Sequence, residues 1–79
     1  MSPRGVNNWT ALDVMKFLKD NNFVLSHSRG SHIYYLGKYG KETRQVCVPF
    51  HGKASIKPRT LKSIIQQSGI PKEKWINRK

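Results

Sequence analysis

The 79-residue chain carries three histidines, His27, His32 and His51, and imidazole is the side chain best suited to take and give a proton near neutral pH. An ordinary polar surface residue is the plainer reading of each, so the choice among them rests on their surroundings. Gly30-Ser31-His32 is not by itself a phosphate-binding or triad motif, and no Walker loop, dinucleotide fingerprint or nucleophile elbow occurs. Metal-dependent nucleases gather carboxylates around Mg²⁺. The acids here, Asp13, Asp20, Glu42 and Glu73, are spread along the chain, so neither a metal site nor a cofactor is expected. Cys47 is the sole cysteine, which leaves no internal disulfide and no paired-cysteine zinc site; its simplest role is a small apolar strand residue.

Fifteen Lys and Arg give a net charge of +11, and the excess is uneven. Residues 1–22 hold three basic and two acidic side chains, whereas residues 23–79 hold twelve and two. A cationic field concentrated on one part of a small domain attracts polyanions, with nucleic acid the commonest inside cells; anionic membranes and acidic proteins use the same field. Lys53, Lys57, Arg59 and Lys62 surround the expected start of a helix, where free N–H groups and the helix dipole also favour phosphate. Tyr34 and Tyr39 can stack on bases, although partly exposed strand and loop tyrosines need no ligand to explain them.

These groups need elements to hold them. Thr10 and Asp13 are spaced as a capping box and Trp9 and Val14 as a hydrophobic staple, opening a helix over about residues 11–20 with a Leu12, Met15, Leu18 stripe and Val14 and Phe17 beside it. Asn21-Asn22 ends it. Residues 23–27 and 31–37 read as a hairpin around Ser28-Arg29-Gly30, residues 38–43 as a second connection, and residues 44–50 as a third strand with Val46, Val48 and Phe50 inward. Pro49 cannot donate to a ladder, so that strand lies at an edge or stops pairing near there. Pro58 suits the first turn of a second helix with Leu61, Ile64 and Ile65 on one face; Gly69 would end it, and Ile70 would fold back in a Schellman cap. Residues 71–76 add a short turn with Trp75 and Ile76 inward.

The order α-β-β-β-α predicts an α+β two-layer sandwich in which a three-stranded antiparallel sheet has both helices on one face and an open face opposite. A three-residue loop at Ser28-Arg29-Gly30 pairs Ser26 with His32, Leu25 with Ile33 and Phe23 with Tyr35. A two-residue loop pairing Leu25 with Tyr34 would instead bury His32 and expose Ile33, so the first register is preferred. His32 and Tyr34 then share the open face with Cys47 and Pro49, and with His51 if the third strand continues. The longest apolar run, Ile33 to Leu36, has four residues, and the first residues lack a secretory h-region, so one soluble, cytoplasmic domain over residues 1–79 is expected.

Gly30-Ser31-His32 followed by Tyr35, then Val48-Pro49-Phe50-His51, then Lys57-Pro58 and Thr60-Leu61-Lys62-Ser63-Ile64 before Gly69, together resemble the HicA-type toxins, small mRNA interferases of HicA–HicB toxin–antitoxin pairs. The resemblance runs from about Leu12 to Ile70. It implies a fold similar to double-stranded-RNA-binding domains, an endoribonuclease activity in stress response, an mRNA substrate and a HicB-like antitoxin that covers the toxin. The family's Gly-Ser-His histidine maps to His32, with His51 a possible second proton-transfer group; RNA contacts fall to Lys53, Lys57, Arg59, Lys62 and Tyr34. About nine residues (1–9) precede the first helix as an extension, Asn22 and Arg59 stand where the family commonly has glycine, and residues 77–79 are expected to fray. Two other function classes compete: a noncatalytic RNA-binding module on the same fold, and a basic protein whose role is to bind a protein partner.

Overall fold

Thr10 starts the first helix as its spacing requires. In the computed structural model, which describes residues 9–76, helix α1 spans Ala11–Asp20. Thr10 Oγ1 accepts from the Asp13 N–H at 3.2 Å, and Asp13 Oδ2 accepts from the Thr10 N–H at 3.0 Å, so two otherwise orphaned donors are satisfied. Asn22 takes the left-handed conformation after the helix, with φ 69°. The buried face is Ala11, Val14, Phe17 and Leu18, so it is centred on the flank expected beside the stripe, and Leu12 is 53% exposed. Trp9 and Trp75 turn the helix this way by packing on Phe17, with ring centroids 6.0 and 4.1 Å from it. Apart from Trp9, the expected extension and the expected fraying of residues 77–79 lie outside the described residues.

Strands β1 (Val24–Arg29), β2 (His32–Tyr39) and β3 (Glu42–Pro49) form one antiparallel sheet in the order β1-β2-β3. The second connection is tighter than expected: Gly40, at φ 70°, and Lys41 alone join β2 to β3. The hairpin register also needs correction. Gly30-Ser31 is a two-residue loop with Gly30 at φ 58°, and Arg29 pairs with His32, Ser28 with Ile33 and His27 with Tyr34. An irregularity between Leu25 and His27 then shifts the register, so that Leu25 pairs with Tyr35 and Val24 with Leu36. The extra residue puts Phe23 over Gly37, where a Cβ would lie 2.5 Å from the ring. Leu25, expected in the core, is 60% exposed, and the main packing of the helices on the sheet falls on β3 at the far edge.

Helix α2 (Pro58–Ser68) and the short α3 (Lys72–Ile76) complete the covered side. The core joins Val14, Phe17 and Leu18 of α1 to Val46 and Val48 of β3 and Leu61, Ile64 and Ile65 of α2. Gly69 ends α2 at φ 76°, its N–H shared between the Ile65 and Gln66 carbonyls at 3.3 Å. Ile70 folds back into the core cluster that holds Ile65, and its backbone reaches the helix end through a side chain. Its N–H donates to Ser68 Oγ at 3.0 Å, and that hydroxyl donates to the Ile65 carbonyl at 2.7 Å, so a buried serine carries the link. The edge position expected for the third strand holds: β3 pairs only with β2, and its Cys47 N–H donates to Gln67 Oε1 of α2 at 2.9 Å.

Candidate functional site

Alternation along β2 decides which side chains leave the core. Ile33 and Tyr35 face the helices, opposite Val48 and Val46, so His32 and Tyr34 point to the helix-free face, as expected despite the changed hairpin register. Two cross-strand rows result. The first runs Arg29, His32, Pro49, and the second His27, Tyr34, Cys47. His32 is exposed beside the guanidinium-bearing Arg29. In the second row the His27 and Tyr34 rings stack at 4.5 Å with planes 9° apart, and Ser26 Oγ lies 3.0 Å from His27 Nδ1. Cys47, opposite Tyr34 across the strands, holds the phenol above its usual range as a hydrogen-bonding neighbour whose sulfur is negative once ionised; nearby Arg29 pulls the other way.

Pro49 links the first row to the start of α2. The chain stays beside the β2 end for one further step, with the Phe50 N–H donating to the Ser31 carbonyl at 2.7 Å, and His51 follows. Pro49 and His51 line a cleft of about 400 Å³ whose far wall is Ser55, Lys57 and Thr60. Lys57 caps α2 with its backbone only, no side chain closes that end, and Pro58 occupies the first turn. The positive end of the α2 dipole therefore opens beside this cleft. Lys53, Arg59 and Lys62 are exposed, and of the four expected phosphate contacts only Lys57 lines the cleft.

The carboxylates lie apart from one another along the fold. Asp13 closes the α1 cap and Glu42 accepts from Arg44 at 2.8 Å, while Asp20 and Glu73 lie on α1 and α3. Among the described residues no three His, Cys, Asp or Glu side chains are grouped as a metal site. No helix among them is long and apolar enough to cross a membrane. Sequence reasoning missed Arg29 and gave His27 little weight. Their signal is the hairpin register, since only a Gly30-Ser31 loop sets Arg29 opposite His32 and His27 opposite Tyr34.

Residues 12–70 match the family model described as the HicA toxin of bacterial toxin-antitoxin. Neither the curated proteins nor the solved structures yielded a match.

Proposed function

The chain belongs to the HicA toxin family, toxins of toxin–antitoxin systems, and from that premise we propose that it is a metal-independent endoribonuclease acting on mRNA. The observation that carries the reading is His32, exposed on the helix-free face beside Arg29. With no gathered carboxylates to prepare a metal-bound hydroxide, the nucleophile nearest the phosphorus is the substrate's own 2′-OH, already oriented by the ribose. His32 accepts the 2′ proton as the 2′ oxygen bonds to phosphorus. The bond to the 5′ oxygen breaks, and that oxygen takes a proton from His51 or from water. Arg29 and Lys57, with Lys53, Arg59 and Lys62 along the approach, offset the charge growing on the phosphate, and Tyr34 contacts a neighbouring base.

The proposal extends to a cytoplasmic protein with one HicA-like domain over residues 1–79, neutralised by a HicB-like antitoxin. The same cationic surface that would bind RNA suits an acidic protein partner. His32→Ala tests the assignment: it is expected to lower RNA cleavage by roughly 10²–10⁴-fold with an unchanged melting temperature, since His32 is exposed. Parent-rate cleavage by the purified variant removes His32 from the chemistry. RNA binding without cleavage by the parent protein would favour a noncatalytic RNA-binding module.

A further inference from the structure

The proposed reaction assigns Tyr34 to RNA contact but gives no role to His27, whose ring stacks on it. We propose that His27 and Tyr34 form a platform on which one unpaired base of single-stranded RNA stacks, next to the phosphate held at His32; this rests on the reading of His32 as the catalytic group. The pair joins His27 of the edge strand β1 to Tyr34 of the central strand β2 on the helix-free face, so the core does not account for it. Its rings are parallel within 9° at 4.5 Å. Ser26 Oγ meets His27 Nδ1 at 3.0 Å, and Cys47 is the cross-strand neighbour of Tyr34 on its other side. Tyr34 thus has a cross-strand neighbour on each side, His27 on β1 and Cys47 on β3, and because β1 is an edge strand the outer side of the His27 ring meets no further strand and is open to a base.

Position and charge then select the ligand. His27 and Tyr34 lie one row from Arg29 and His32 on the same face, two residues along each strand, or about 6.7 Å. A nucleotide whose phosphate sits between Arg29 and His32 can set its base, or the adjacent one, on the second row. Bases in a duplex already have both faces stacked, whereas an unpaired base gains a partner, so the platform selects single strands. Stacking is tolerant of base identity, so this site adds affinity and placement more than sequence choice.

The test uses the full chain carrying His32→Ala, which keeps the RNA intact, and a single-stranded oligoribonucleotide with 2-aminopurine as its fluorescent base. Binding is expected to quench the fluorophore. Adding His27→Ala should abolish the quench and weaken binding about tenfold, while His27→Phe, which keeps a flat ring but no titratable nitrogen, should retain both. Equal affinity and quench in His27→Ala, or equally tight binding of duplex RNA, overturns the platform. The two readings fail separately: a chain with intact His32 that binds and quenches but leaves RNA uncut removes the nuclease and keeps the platform, whereas cleavage with no quench removes the platform alone.

Discussion

His32 and His51 reach the same end of the sheet by different routes, one on a paired strand and the other just past the last paired residue, Pro49. The proposed division of labour gives His51→Ala a smaller loss of cleavage than His32→Ala, read as single-turnover rates on one RNA. Equal losses would make the two an acid–base pair. Tyr34 offers a titration that needs no substrate. Its phenol is raised mainly by the hydrogen bond and charge of Cys47, so Cys47→Ala should bring its pKa down toward the ordinary value of 10.0, and Arg29→Gln should push it higher. The ring-carbon resonance of Tyr34 followed against pH reads both shifts, and an unmoved midpoint in Cys47→Ala would break the assignment. Because the shift is upward, the phenol stays protonated through neutral pH and can donate a hydrogen bond there.

At the scale of elements, local chemistry was legible wherever one residue's backbone or cap decides the outcome. Thr10 and Asp13 announced α1, Pro58 and Gly69 bracketed α2, and the alternation of Val46 and Val48 marked the buried side of β3. The hairpin was misread because its pattern carries little information: every residue of β1 is exposed, so burying Leu25 was not a constraint the fold had to meet. The bulge that returns Phe23 to the core leaves no mark in the composition. Gly37 is where that packing is most easily tested. Gly37→Ala would drive a methyl into the Phe23 ring and should destabilise the chain by about 1–3 kcal/mol in denaturant unfolding. Thr10→Ala should cost about 1 kcal/mol by opening the capping box, in the same measurement.

Across the whole molecule, a net charge of +11 makes affinity for RNA a salt-dependent quantity. Single Gln replacements of Lys53, Lys57, Arg59 or Lys62 should each weaken binding across RNA sequences and reduce the salt slope by about one contact, with little change in melting temperature because solvated cations contribute little to folding. A slope that stays the same moves the phosphate track to another face. The candidate site was half visible in the sequence for a related reason. The histidine and the basic cluster are matters of residue type, while the grouping of Arg29, His32 and Pro49 beside the α2 cleft exists only once three strands and a helix are in register. The central claim is that His32 drives attack by the 2′-OH without a metal, and end-group analysis of cleaved RNA in excess EDTA tests it most directly. The products should be 2′,3′-cyclic phosphate and 5′-hydroxyl ends, with no cutting of DNA or of RNA methylated at the 2′ oxygen beside the scissile phosphate. Strict dependence on Mg²⁺, or 5′-phosphate ends from the pure protein, would contradict it.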